Sequence, residues 1–173
     1  MTKLYVTVKS LLFPGAYLRC FWEQVICRIC GIPVEDSRYL RDDELTSHIE
    51  HEFALTAGKA FAVCYVPHFM TMLSSFFLAL IPVFVLFINE TDNTVITILC
   101  AIIWWFVVSA LCNTFPSIED AINMREKLYK KGNIFQKIIF TPGFVVLYIG
   151  SYAENYLLTF IIAVAATVGL IIM

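Results

Sequence analysis

Two of the three histidines in the chain stand in one short polar stretch, Ser47-His48-Ile49-Glu50-His51-Glu52. On a helix, His48, His51 and Glu52 occupy positions i, i+3 and i+4 and project from one face. Two imidazoles and a carboxylate that converge in this way can form half of a zinc site. The alternative is that a polar helix end near a membrane surface carries two histidines and binds no metal.

Asp120 is a candidate for a further metal ligand. It follows the segment Asn113-Thr114-Phe115-Pro116-Ser117, which comes directly after an apolar run that we predict to cross a membrane. Because two consecutive spans run out and back, Asp120 should lie at the same membrane face as the two histidines. Ser117 stands three residues before Asp120, however, and this spacing is typical of a capping box at a helix N-terminus. Asp120 therefore has two alternative roles, as a ligand and as part of a cap.

Both segments carry a resemblance to a known family. His51-Glu52-Phe53-Ala54-Leu55 resembles a degenerate HExxH motif, and Asn113-x-x-Pro116 followed by an acid resembles the second motif of site-2-protease-type membrane metallopeptidases. The resemblance covers about fifteen of the 173 residues, and Leu55 stands at the position of the second histidine of the motif.

By position, the resemblance implies that His51 and Asp120 are zinc ligands and that Glu52 is the general base. His48, one turn earlier, could substitute for the missing histidine. Zinc lowers the pKa of a bound water to about 7, and Glu52 would accept the proton of that water. The implied activity is peptide hydrolysis at the cytoplasmic edge of a membrane.

The cysteines offer a different zinc site. Cys27, Cys30, His48 and His51 follow the pattern C-x₂-C-x₁₇-H-x₂-H, which is close to that of structural zinc sites. Such a site would be closed and non-catalytic, and it would hold the N-terminal region together. The alternative is that Cys27 and Cys30 are small hydrophobic residues on a helix.

The composition indicates an integral membrane protein. Hydrophobic residues make up 60% of the chain and charged residues only 15%, against about 45–50% and about 25% in soluble domains. The net charge of −2 excludes the basic field that a nucleic-acid-binding protein needs. Four segments are candidate membrane spans, although the third is interrupted by Thr141-Pro142-Gly143: residues 68–88, 95–112, 138–152 and 156–173.

The distribution of lysine and arginine predicts the topology. Seven of these twelve residues precede the first span, and the other five lie between Arg125 and Lys137. The loops Asn89–Asn93 and Ala153–Asn155 contain none. Because basic segments stay in the cytoplasm, four spans with both termini in the cytoplasm satisfy every loop.

Outside the spans we expect three helices. Tyr17–Ile29 should be amphipathic, with Leu18, Phe21 and Trp22 among the residues of its apolar face. A second helix should begin at Asp42 and end near Val66, before Pro67. The third, residues 117–131, should lie on the cytoplasmic surface. The prediction is an all-α polytopic membrane protein, with an interfacial region (residues 1–66) and a transmembrane region (residues 67–173).

These features lead to three hypotheses for the function. The first is a divergent membrane-embedded zinc metallopeptidase. The second is a non-enzymatic scaffold or accessory protein whose aromatic-rich spans bind transmembrane helices of partner proteins. The third is a membrane protein with a structural Cys/His zinc clasp. No acid, lysine or arginine lies in the three clear apolar runs, which argues against a transporter. The expected surroundings are a lipid bilayer, without nucleic acid.

Overall fold

The protein is a helical bundle, seen here in a computed structural model that describes residues 3–36, 49–88 and 93–172. A short antiparallel ribbon pairs strand β1 with strand β2. The all-α prediction is therefore confirmed, with the ribbon as an addition. The elements within the described residues are α1 (Lys3–Leu11), α2 (Phe13–Cys30), β1 (Val34–Asp36), β2 (Glu50–His51), α3 (Ala57–Val83), α4 (Thr94–Cys112), α5 (Ile118–Glu126), α6 (Ile134–Asn155) and α7 (Leu158–Ile172), with π-helical turns at Phe84–Ile88 and Lys127–Lys131.

Three helical stretches are long and apolar enough to cross a membrane: Ala57–Leu86, Thr94–Cys112 and Ile134–Glu154. Large apolar side chains cover the outside of the bundle, as a lipid environment requires. The predicted span at 156–173 corresponds to α7, which has only 15 residues and is shorter than the ~20 that a bilayer needs. The count of four spans stays a prediction.

The helix of the first candidate span, α3, begins at Ala57, before the predicted start of the span at residue 68. Thr56 caps the N-terminus of α3, its hydroxyl accepting a hydrogen bond from the Lys59 amide. The prediction of a helix from Asp42 to Val66 is confirmed from Ala57 onward and wrong for residues 49–56, because Glu50 and His51 form a strand and α3 starts only at Ala57. Pro67 does not end a helix but lies inside α3. A long helix packed among neighbours tolerates such a proline.

The predicted break at Thr141-Pro142-Gly143 is absent from the described helix α6, which runs unbroken for 22 residues. Thr141 donates its hydroxyl hydrogen bond to the Lys137 carbonyl one turn earlier. A Cβ on Gly143 would come within 2.9 Å of the Phe61 ring, so the glycine allows α6 to approach α3 closely. The glycine in this triplet serves helix packing and does not interrupt the helix.

Helices α6 and α7 run in the same direction. Phe140, in the first half of α6, stacks on Phe61 near the start of α3. Gly150, near the end of α6, packs against Phe115, and the Phe115 ring stacks on His68 further along α3. Helix α6 is therefore parallel to α3, while α7 is antiparallel to α4.

The antiparallel pairing of α7 with α4 rests on two hydrogen bonds. Thr159 bonds to the Cys112 carbonyl, and Trp104 bonds to Thr167. The predicted external turn at Ala153–Asn155 is wrong, because these residues end α6 and no reversal follows them. The prediction of a cytoplasmic C-terminus assumed a reversal at this point, and the orientation of the C-terminus stays a prediction.

Helix α2 exposes part of its predicted apolar face and buries two of its charged side chains. Phe21 and Ile29, on the apolar face, are 47% and 75% exposed, whereas Arg19 and Glu23 are 4% and 2% exposed. In a membrane protein an apolar face can turn to lipid, and charged groups are placed where protein partners can compensate them. Arg19 and Glu23 thus point into the bundle, whereas Arg28 is exposed.

Candidate metal centre

Three acidic or imidazole side chains from distant parts of the chain meet inside the bundle. Glu23 comes from α2, His51 from β2 and Asp120 from α5, and one ligand atom of each lies within 4.8 Å of the others. His51 Nε2 lies 3.4 Å from Asp120 Oδ1 and 3.7 Å from Glu23 Oε1. The side chains are only 3%, 7% and 2% exposed for His51, Asp120 and Glu23. We refer to Glu23, His51 and Asp120 as the triad.

The turn after α2 positions His51. Helix α2 ends at Gly31, whose φ of 64° is the left-handed conformation that glycine adopts at helix ends. The Ile32 amide then bonds to the Cys27 carbonyl at 2.8 Å. The chain turns back into β1, where Val34 pairs with His51. The ribbon therefore places His51 beside α2, the helix that carries Glu23.

Asp120 is held by the cap of α5. The Ser117 hydroxyl accepts a hydrogen bond from the Asp120 amide at 3.1 Å, which confirms the predicted N-cap. The same hydroxyl donates to Asp120 Oδ2 at 2.7 Å. Because Oδ2 is occupied by Ser117, Oδ1 is the oxygen that faces His51. The two alternative roles of Asp120 are geometrically compatible.

The imidazole of His51 has a defined tautomer when it is neutral. Nδ1 lies 2.9 Å from the Glu52 carbonyl oxygen, and because a carbonyl only accepts, Nδ1 carries the proton. A hydrogen bond of this kind leaves the Nε2 lone pair available for a metal ion. Nε2 is buried and makes no hydrogen bond to any part of the chain that the structure describes.

Charge in the triad favours an additional cation. Burial lowers the pKa of His51, but the Glu23 and Asp120 carboxylates outweigh this effect and raise the pKa to about 9. Burial and the nearby Glu23 carboxylate raise the pKa of Asp120. The guanidinium of Arg19 lies 3.9 Å from Glu23 and offsets part of the negative charge. Without a metal, a proton on His51 supplies the missing positive charge.

The geometry of the triad fits a metal ion. Two ligands that each lie ~2.1 Å from a tetrahedral ion are separated by about 3.4 Å, which is close to both distances from His51 Nε2. One imidazole nitrogen and two carboxylate oxygens suit Zn²⁺, and they also suit Mn²⁺ or Fe²⁺. Three protein ligands leave a fourth position open.

The comparisons with known proteins do not decide between these ions. No family model matches the chain, and the searches of curated proteins and solved structures found no match. Evidence for a function therefore comes from the geometry of the chain itself.

The structure brings together two of the four residues that the sequence suggested as a site. His51 and Asp120 meet, whereas the Glu52 side chain is exposed and is not part of the triad. His48 lies outside the described residues. Because Glu50 and His51 form a strand, the single helical face predicted for His51 and Glu52 does not exist.

Glu23 was not predicted as a site residue. Its signal was a charged pair, Arg19 and Glu23, at i and i+4 in a helix rich in apolar residues. The predictions from the sequence gave this pair no role. Cys27 and Cys30 are not members of the metal-ligand cluster found among the described residues. Burial raises the pKa of the Cys27 thiol to about 12, so this thiol is protonated in the absence of a metal ion.

A second polar network lies near the N-terminal helices. Lys9 Nζ donates to Glu154 Oε1 and to Asn113 Oδ1, each at 2.8 Å. Glu154 Oε2 accepts from the Phe115 amide at 3.0 Å, and Asn113 donates to the Leu12 carbonyl at 2.9 Å. These bonds satisfy both charges of the Lys9–Glu154 pair. The network therefore joins α1 to α4 and α6, and has the character of a structural connection.

Proposed function

We propose that this chain is an integral membrane protein that binds a divalent metal ion, zinc in the first place, through Glu23, His51 and Asp120. The observation that supports the proposal is the approach of both carboxylates to Nε2 of His51, which is buried and makes no hydrogen bond within the described residues. Three segments far apart in sequence supply the ligands, so a metal would link α2, the ribbon and α5. A site of this kind stabilises the fold that forms it.

Removing one ligand should strongly weaken metal binding. We expect His51→Asn to lower the zinc affinity by more than about 100-fold. Replacing a residue that only hydrogen-bonds to a metal ligand already lowers the metal affinity by about 10- to 100-fold, and His51 would be a ligand itself. The measurement is competition with a zinc-sensitive dye, on metal-stripped full-length protein in detergent. Glu52→Gln is the matched control, since this exposed carboxylate lies next to His51 and outside the triad.

Two further variants separate the alternative roles. Ser117→Ala should lower the free energy of unfolding by about 1 kcal/mol through the lost cap, with zinc still bound. Cys27→Ser should keep zinc if the triad holds it and lose zinc if the cysteine clasp exists.

Zinc affinity in His51→Asn equal to that of the unchanged protein would contradict the proposal. A protein that binds no metal at all would leave the scaffold hypothesis in its place.

The metallopeptidase hypothesis is a second candidate, and one contact favours it. Glu23 Oε1 lies 3.7 Å from His51 Nε2, so this carboxylate could act as the general base that the sequence analysis had assigned to Glu52. In that arrangement His51 and Asp120 would hold the metal, and Glu23 would accept a proton from a water molecule. Zinc, when bound, would supply the activation of that water.

The zinc affinity of a Glu23→Gln variant should show whether Glu23 is a metal ligand or a general base. If Glu23 is a ligand, we expect zinc affinity to fall about as far as in Asp120→Asn. If it is a base, the variant should keep zinc and lose any hydrolysis of a single-span peptide reconstituted in the same vesicles. Dye competition on both variants gives the first readout, and peptide cleavage gives the second. Lost zinc affinity in Glu23→Gln would rule out the base assignment.

A further inference from the structure

Five basic residues surround the beginning of α6 and form what we call the basic collar. It comprises Arg125, Lys127, Lys130, Lys131 and Lys137. Lys130 is 73% exposed, although Glu126 pairs with it at 2.6 Å. Glu119 and Glu126 are the acids along the same stretch that remain outside the buried triad. The collar thus has a net positive charge.

Large apolar side chains lie immediately beside the collar. Ile134, Phe135 and Ile138 are 79%, 70% and 70% exposed. They belong to the first turns of α6, where the apolar stretch Ile134–Glu154 begins. Lysines next to exposed apolar side chains at the end of a span are the arrangement that suits the boundary between headgroups and acyl chains.

The local structure fixes the collar relative to the span. The π-helical turn Lys127–Lys131 holds three of the lysines and ends at Gly132. A capping box then starts α6, in which the Asn133 amide donates to Gln136 Oε1 at 3.1 Å. Because the π-helical turn ends at Gly132 and the capped helix α6 begins at Ile134, the lysines lie next to the first turn of the apolar helix.

We propose that the basic collar binds the headgroups of anionic phospholipids in the leaflet that faces the first turns of α6. The charge of the collar is complementary to a negative lipid surface, and its apolar neighbours fit the acyl region beneath. A nucleic acid or a phosphopeptide would leave Ile134, Phe135 and Ile138 in water. The proposal does not depend on the triad, so neither the presence nor the absence of zinc bears on it.

Lipid binding by the full-length protein tests the proposal. Native mass spectrometry in detergent should show tighter binding of phosphatidylglycerol than of phosphatidylcholine. A fluorescence assay of the binding of the same two lipids should show that this preference shrinks when the salt concentration rises from about 0.05 to about 0.5 M. We expect Lys131→Gln to lower the phosphatidylglycerol affinity about five-fold, and Lys127→Gln with Lys131→Gln to lower it about 25-fold.

Two matched variants control for nonspecific effects. Lys131→Arg should keep the affinity, because the charge is retained. Glu126→Gln should raise it, because Lys130 loses its acidic partner. Circular dichroism of each variant checks that the helices are intact. Equal affinity for the two lipids, or an unchanged affinity in the double variant, would overturn the proposal. Displacement of the lipid by inorganic phosphate would also overturn it, since a phosphate site would then replace the lipid surface.

Discussion

Replacing Glu154 with alanine is expected to lower the free energy of unfolding by about 3–5 kcal/mol. The variant leaves the ammonium of Lys9 buried without its carboxylate partner, which now lies at 2.8 Å. It also removes the acceptor of the Phe115 amide. An unpaired buried charge costs more than the pair contributes, so the loss should be large. The measurement is unfolding of the purified protein in detergent, followed by circular dichroism.

A double variant provides the control for this experiment. Lys9→Met with Glu154→Gln removes both charges together, and we expect it to be more stable than Glu154→Ala alone. Glu126→Ala, which breaks the exposed pair with Lys130, should change stability little. If Glu154→Ala were no less stable than Glu126→Ala, the buried pair would not have the structural role assigned to it.

Gly15→Ala is expected to destabilise the protein by about 3 kcal/mol. A Cβ at this position would overlap the carbonyl of Ser109, so α2 would have to move away from α4. The movement would break the hydrogen bond from the Gly15 amide to Ser109 Oγ at 2.8 Å. It would also disturb the bond from Ser109 to the Leu12 carbonyl at 2.6 Å. Thermal unfolding in detergent would show the loss as a lower melting temperature.

Gly58→Ala is the matched control for Gly15→Ala. Gly58 lies in the first turn of α3, and a Cβ there would meet no atom within 4 Å. Alanine has a higher helix propensity than glycine. We therefore expect this variant to be as stable as the unchanged protein or up to about 1 kcal/mol more stable. Equal behaviour of the two variants would argue against close contact between α2 and α4 at Gly15.

Local signals in the sequence were sufficient for several elements of the fold. The capping role of Ser117 followed from its spacing to Asp120, since a cap needs only neighbouring residues. The apolar runs likewise indicated the helices α3 and α4. The orientation of α2 was not accessible in this way. Its apolar face could turn to the core or to lipid, and only the packed bundle determines which.

The triad was only partly predictable, for a related reason. His51 and Asp120 stood out because each is close to a recognisable motif, whereas Glu23 has no motif around it. The connection between Glu23 and His51 is made by the β1–β2 ribbon, in which Val34 pairs with His51. A pairing between strands of three and two residues gives no periodic signal that could be detected in advance.

The contact between Lys9 and Glu154 joins residues that lie 145 positions apart. During synthesis, Lys9 therefore emerges from the ribosome 145 residues before its carboxylate partner. The buried contact of Lys9 therefore cannot form until α6 has been synthesised. Until α6 is made, α1 keeps an ammonium group without its carboxylate partner, and the membrane-water boundary is the place where that charge costs least.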